Sequence, residues 1–470
     1  MKLSRLDLTN FRCFAQLTLD LHPYLTVLVA ENGQGKSSVL DALRIALWPF
    51  VGSFDLARGN ANDPGNGIAI DDVRLVKMAK GDMARQLPAE VSVTGDFGTG
   101  REKTWSRRRI SERKSTKTRD ASATSFVKQW AGQLQRQVRD PDMPDLDLPV
   151  FGYYGTGRLW QEQKLTTKAR QADVSDESDF YIRTFAYRNC LNPASSYSHF
   201  REWFTWLFKS YREEQIRQLE SLNSNQAPIA AAESIHAVQQ AIDSFLEPIT
   251  GWHSLTYSVT HEKALVLEHP QHGILKVDQL SDGIRSVLAM VGDIAYRSVK
   301  LNPQLGRKAP QQASGVILID EVDMHLHPFW QQRILQQLRK AFPRLQFVVT
   351  THSPQVLSSV KQEHVRLLSQ DESGQFIAAT PVDTPYGRLS SDVLEAVMHV
   401  SPYPPVDERE DLRRLTRLVD QGAHDSAEAR ELMDKLINQL GAAPPAMQKL
   451  QRSIRRQQVL KDAAHSQRPE

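Results

Sequence analysis

The run from Tyr24 to Ala30 is almost continuously apolar and passes directly into Ala30-Glu31-Asn32-Gly33-Gln34-Gly35-Lys36-Ser37. Helical periodicity follows from Ser37 to Leu47, with Pro49 as the expected stop. A strand without polar alternation is buried on both faces, which points to a central sheet covered by helices. The turn after it has the pattern G-x-x-x-x-G-K-[ST], with Ala30 in place of the first glycine. Gly33 and Gly35 let backbone N–H groups curl around a phosphate, and the helix that follows adds its positive end. Lys36 then neutralises phosphate charge and the Ser37 hydroxyl ligates Mg²⁺. Asn32, Gly33, Gly35, Lys36, Ser37 and Ser38 are the expected nucleotide contacts.

Three further segments carry chemistry. Val316-Ile317-Leu318-Ile319-Asp320-Glu321 reads as a buried strand that delivers two carboxylates to its C-terminal edge, where open α/β sheets bind ligands. Asp320 is the expected Mg²⁺ holder, and Glu321 the general base that polarises the attacking water. The acidic pair also fits a simple helix N-cap. Leu280-Ser281-Asp282-Gly283-Ile284-Arg285 opens an amphipathic helix running to Val299, and Ser281 or Asp282 would serve equally as an ordinary cap. Thr350-Thr351-His352-Ser353-Pro354 follows another buried strand, Phe347 to Val349. A helix is expected over Phe329 to Ala341, between these strands.

In chain order, Ala30–Ser37, Leu280–Arg285, Val316–Glu321 and Thr350–Pro354, the four segments resemble the ABC-type ATPases, and Leu280–Arg285 resembles their LSGGQ signature with Asp282 in place of a glycine. The resemblance implies a head-to-tail homodimer that sandwiches two ATP molecules. Ser281 and the helix start at Gly283 would contact the γ-phosphate held by the partner subunit, and His352 would be the switch histidine. Asn10-Phe11-Arg12-Cys13-Phe14 resembles the element that the SMC, RecF and OLD branch places beside the nucleotide, so Arg12 is an expected nucleotide contact. Asp323-Met324-His325-Leu326-His327-Pro328 has a His-x-His spacing that suits zinc. It also resembles the loop these ATPases use for dimer contacts, which is the reading adopted. Gln161, after Gly155-Thr156-Gly157-Arg158, is the nearest candidate for the Q-loop glutamine.

The fold class expected is α/β, an ABC-type ATPase head with a mixed sheet and flanking helices. Its halves would be 1–170 and 251–400, split by a helical insertion at 171–250 and followed by a helical tail at 401–470. The insertion is too short and lacks the heptads for an SMC coiled coil. No Toprim-like acidic set follows His352, so no nuclease is expected within the chain. The blocks Glu31–Ser37, Tyr153–Arg158, Leu280–Arg285, Asp320–Pro328 and Tyr386–Ser390 together resemble the ATP-binding group that includes the ATPase of the Septu anti-phage system. That resemblance implies a separate HNH endonuclease partner and a role in restricting phage. The alternatives are a DNA-repair ATPase of the RecF type and a nucleotide-sensing scaffold with little hydrolysis.

The net charge of +3 gives no global drive towards nucleic acid, so any such surface must be local. One candidate is the basic run Arg101, Lys103, Arg107, Arg108, Arg109, Arg113, Lys114, Lys117 and Arg119, which would contact DNA phosphates or simply be a solvated β-arm. A second, weaker one is the terminal stretch Lys449, Arg452, Arg455 and Arg456. No apolar stretch reaches the length of a membrane span, and Cys13 and Cys190 have no metal or redox spacing. A cytoplasmic location with reduced thiols is expected.

Overall fold

The computed structural model describes residues 1–57, 66–98, 100–142, 146–159, 177–193, 196–220, 230–401, 408–440, 452 and 454–455. The chain divides into two compact units, Met1–Met398 and His399–Glu470.

In the first unit, β1 (Lys2–Phe11) and β2 (Phe14–Asp20) form an antiparallel pair. β3 (Leu25–Val29) is buried along its whole length and leads into α1 (Lys36–Val51). The short hairpin β4 (Leu75–Lys77) and β5 (Met83–Arg85) precedes β6 (Ala89–Asp96), β7 (Glu102–Arg109) and β8 (Arg119–Asp120). These build a five-stranded antiparallel sheet in the order β2-β1-β6-β7-β8. β6 alternates buried and half-buried residues, as a strand with one covered face should. α2 (Thr124–Val138) follows, then β9 (Val150–Tyr154).

Two long helices follow, Ser196–Glu220 and Ala230–Thr250. The first rests on the helix Asp282–Leu301: a Cβ at Gly292 would lie 2.7 Å from the Phe200 ring, and Trp203 meets Tyr296 at 4.5 Å between ring centroids. A three-stranded antiparallel sheet comes between, made of β10 (His253–Ser258), β11 (Ala264–His269) and β12 (Gly273–Lys276). The chain then returns to the centre with β13 (Gly315–Ile319), β14 (Leu345–Thr350), β15 (Val365–Gln370) and β16 (Phe376–Ala379).

The central sheet has the order β16-β15-β3-β14-β13-β9, parallel except for β16. β3, β9, β13 and β14 are wholly buried, which accounts for their largely apolar sequences. Gln346 is a buried polar residue inside β14. Its side-chain amide accepts from the Leu3 amide at 2.7 Å and donates to the carbonyls of Leu3 at 2.7 Å and His22 at 3.0 Å. It thereby ties the antiparallel sheet to the central one with its own polar atoms satisfied.

Two helix boundaries differ from the sequence expectation. α1 does not stop at Pro49 but runs to Val51. Proline removes the N–H that would serve the Ile45 carbonyl, and Arg107 Nη1 donates to that carbonyl instead, at 2.9 Å. The helix expected over 329–341 is two pieces, Pro328–Gln331 and Ile334–Ala341. Arg333, at φ −117°, breaks the helical path between them. In the second unit, the helices Arg409–Asp420 and Ala427–Leu440 pack through Leu412, Leu415, Val419, Ala429 and Leu436.

Candidate nucleotide site

All parallel strands of the central sheet end on one edge, so the segments after β3, β13 and β14 meet there. The loop after β3 uses left-handed backbone at Gly33 (φ +80°) and Gly35 (φ +85°), where L side chains are strained. Ala30 has no positive φ, which is why alanine is tolerated in the first position of the motif. Gly35 is also fixed by packing, since a Cβ there would lie 2.4 Å from Phe14 Cζ and 2.7 Å from Cys13 Sγ. The Asn10–Phe14 segment is therefore the floor of the phosphate loop, a contact the sequence pattern did not reveal.

No side chain caps the N-terminus of α1, leaving its first turn to face a ligand. Ser37 is exposed and Ser38 half-buried. Lys36 is 7% exposed, and its ammonium folds back on the carbonyls of Ala30 and Glu31, both at 2.9 Å. Burial lowers the Lys36 pKa, while Asp320 and Glu321 pull it upward.

Thr350, at the end of β14, organises the acidic pair. Its hydroxyl donates to Asp320 Oδ1 at 2.6 Å and accepts from the Glu321 amide at 2.7 Å. Its carbonyl accepts from the Val322 amide at 3.0 Å. These bonds hold Glu321 in a left-handed conformation, φ +47°, which costs energy for a residue with a side chain. His352 stands in the same cluster. Burial and the Lys36 charge push its imidazole below the usual histidine range, opposed by Glu321, Asp323 and Asp320. One edge thus brings together Lys36, Asp320, Glu321 and His352, four residues from three strand ends.

Arg12 lies beside α1 at φ +49°. It donates to Asp72 Oδ1 at 2.8 Å and Asp41 Oδ2 at 2.7 Å, and reaches Ser38 Oγ at 3.4 Å. The Tyr153 hydroxyl donates to Asp41 Oδ1 at 3.2 Å. Asp41 and Asp72 carry no motif of their own, whereas Tyr153 belongs to the Tyr153–Arg158 block and braces Asp41. Only the contacts with Arg12 mark the two carboxylates as its anchors.

Ser281 heads the helix Asp282–Leu301 but makes no capping hydrogen bond, and it is exposed. Asp282 instead pairs with Arg285. Gly283 lies under the loop after β13: a Cβ would stand 2.8 Å from the His325 carbonyl oxygen. In that loop Thr351 Oγ1 donates to Asp323 Oδ1 at 2.5 Å, and His327 Nδ1 accepts from the Phe329 amide at 3.3 Å as a helix cap. Gln161 lies outside the described residues.

The basic run divides. Arg107 and Arg109 are buried, against the expectation of a continuous phosphate-facing surface. Arg107 serves Ile45 O, Asn66 O and Asp120, while Arg109 serves the carbonyls of Ile68, Ser111, Arg113 and Thr116. Arg108 is exposed but paired with Glu90 at 2.8 Å. Arg101, Lys103, Arg113, Lys114, Lys117 and Arg119 remain on the surface. In the terminal stretch, Lys449 and Arg456 lie outside the described residues. Among the described residues no helix is long and apolar enough to cross a membrane.

Comparison with known proteins gives the family. An AAA-domain model matches residues 5–247, and a second, described as "AAA domain, putative AbiEii toxin, Type IV TA system", matches 162–358. The chain is 26% identical over 471 residues to the Retron Vc95 probable ATPase of Vibrio cholerae serotype O1 biovar El Tor, covering 92% of this chain and 86% of that one. It is 26% identical over 483 residues to the Retron Ec83 probable ATPase of Escherichia coli, covering 94% and 84%. Septu protein PtuA of Bacillus mycoides is 37% identical over 97 residues, which is 21% of this chain and 13% of PtuA. With the strand–loop–helix at Leu25–Val51 and the carboxylate pair on the neighbouring strand end, these matches identify the chain as a member of the AAA-domain family with a P-loop ATPase α/β fold, similar to the retron probable ATPases along most of its length.

Proposed function

We propose that this protein binds and hydrolyses ATP with Mg²⁺ at a site shared between two head-to-tail subunits, and that this cycle controls a separate nuclease in anti-phage defence. The observation that carries the reading is the convergence of Lys36, Asp320, Glu321 and His352 on one sheet edge, with Thr350 fixing the two carboxylates. In this account Gly33, Gly35 and the α1 amides cradle the phosphates. Lys36 leaves the Ala30 and Glu31 carbonyls to neutralise them. Ser37 and Asp320 would hold Mg²⁺, which would supply charge neutralisation on the phosphates. Glu321 orients and deprotonates the attacking water, His352 contacts the γ-phosphate, and Asn32, Ser38 and Arg12 line the approach.

Dimerisation rests on Ser281, whose exposed hydroxyl is not used as a cap and heads a long helix. That end suits a phosphate brought by another subunit. The head is assembled from 1–170 and 251–400 around the insertion 171–250, with 401–470 as a tail. The effector is an HNH endonuclease encoded separately, a role supported by the likeness to Septu protein PtuA. DNA contact by the β-arm falls to the exposed members of the run other than Arg108, which are Arg101, Lys103, Arg113, Lys114, Lys117 and Arg119.

Mixing two inactive variants tests the shared site. Lys36→Ala and Ser281→Arg each lack hydrolysis alone. Combined, they form mixed dimers with one intact composite site, and hydrolysis returns. Absence of recovery in dimers shown to be mixed would place the active site within a single chain.

A further inference from the structure

β3 and β15 are parallel neighbours, with Val27 opposite Val365, so the turns that precede them lie side by side at the end of the sheet away from the nucleotide edge. The turn before β3 carries His22, and the turn before β15 carries Glu363 and His364. The two imidazoles meet edge to face, with centroids 4.2 Å apart at 86°. His364 Nε2 stands 3.7 Å from Glu363 Oε1. One ligand-capable atom from each of the three residues lies within 4.8 Å of the others.

We propose that His22, Glu363 and His364 form a zinc site that is separate from the nucleotide site. Two imidazole nitrogens and one carboxylate oxygen are a donor set that suits Zn²⁺, with a fourth position left for water. Ligand atoms about a tetrahedral zinc stand roughly 3.3 Å apart, given bonds of about 2.0 Å, so the 3.7 Å pair needs little movement. His364 is only 4% exposed, and its Nδ1 is buried with no hydrogen-bond partner.

The surroundings are partly prepared. Arg366 donates to the carbonyls of Asp20, Glu363 and Val365 at 3.0, 2.8 and 2.9 Å, clasping both turns. His22 N donates to Thr26 Oγ1 at 2.9 Å, and the His22 carbonyl accepts from Gln346. Two features oppose the ion. Lys2, Arg339 and Arg366 place positive charge near His22. His22 Nδ1 accepts from the Tyr24 and Leu25 amides at 3.2 and 3.5 Å, so ligation through Nε2 moves a ring proton and gives up these long bonds. Glu363 answers the first, and a zinc–nitrogen bond outweighs the second.

The test is equilibrium dialysis of the chelator-stripped full chain against Zn²⁺, with metal counted per chain by mass spectrometry and thermal melting alongside. One zinc per chain and a higher Tm with zinc are expected. His22→Gln should lose the stoichiometric ion. Glu363→Gln, a surface change that leaves folding intact, should weaken it at least tenfold. A double His269→Gln/His272→Gln change, at an imidazole pair elsewhere, should leave it unaltered, as should Lys36→Ala. Failure of wild type to hold zinc, or equal retention by His22→Gln and Glu363→Gln, would overturn the assignment.

Discussion

The Thr350 hydroxyl donates to Asp320 Oδ1 at 2.6 Å while accepting from the amide of the adjoining Glu321 at 2.7 Å. A neutral side chain on one strand thus fixes both carboxylates delivered by the next, and holds Glu321 at φ +47°. Thr350→Val keeps the shape and removes both bonds. A hydrogen bond to a charged group contributes about 1.5–3 kcal/mol, so kcat should fall roughly 10- to 100-fold if the loss is felt in the transition state. ATP affinity should change little, and Thr350→Ser should restore the rate. Steady-state hydrolysis with separate nucleotide-binding measurements checks the division.

Gly283 and His325 approach so closely that an added Cβ would lie 2.8 Å from the His325 carbonyl oxygen. Gly283→Ala must therefore shift the loop after the Asp-Glu pair or the helix that Ser281 heads. The P-loop is untouched, so ATP binding to a single chain should persist while ATP-driven dimer formation is lost. Nucleotide titration and light scattering on the same variant give the answer.

Arg107 closes the open Ile45 carbonyl left by Pro49 and pairs with Asp120 at 2.8 Å. Arg107→Met should cost about 2–4 kcal/mol, because the Ile45 and Asn66 carbonyls lose their donor and half-buried Asp120 is left to Lys128. Neutralising Arg113, Lys114 and Lys117 together should leave unfolding unchanged within about 0.5 kcal/mol. If the arm binds DNA, that triple change lowers the salt slope of binding by about 2–3 units. Denaturant melts and salt-dependent DNA titrations separate the two sets.

His364 is held near pKa 4 in the fold, chiefly by burial and by His22, with Arg339 adding to the effect and Glu363 opposing it. In the unfolded chain an imidazole titrates at about 6.5, so between about pH 6.5 and 4 the unfolded state binds the extra proton. Stability should therefore fall as pH drops through that window. His364→Gln should flatten the slope. Urea melts of metal-free protein at pH 7, 6, 5 and 4 report it.

The central sheet was legible because β3, β9 and β13 are nearly continuous apolar runs, the pattern of a parallel strand covered on both faces. The phosphate loop was legible because its glycines are needed for φ near +80°. What escaped were contacts between segments far apart in the chain. Nothing local to Cys13 and Phe14 says that they floor the loop, and nothing local to Thr350 says that it clasps Asp320. Arg107 and Arg109 were misplaced for a related reason. A basic run looks solvated, but β7 points alternate side chains inward, where these two find backbone carbonyls. Pro49 suggested an end to α1 because the substitute donor for Ile45 lies 62 residues away.

The central claim is a composite site in which Glu321 drives hydrolysis and ATP joins two subunits. The most direct test is sizing of Glu321→Gln by light scattering with and without Mg²⁺-ATP, alongside its hydrolysis rate. The account predicts a variant that binds ATP, fails to turn it over and accumulates as an ATP-dependent dimer, whereas wild type returns to its starting state as ATP is consumed. Hydrolysis at the wild-type rate, or an ATP-bound variant whose mass does not change, would contradict it.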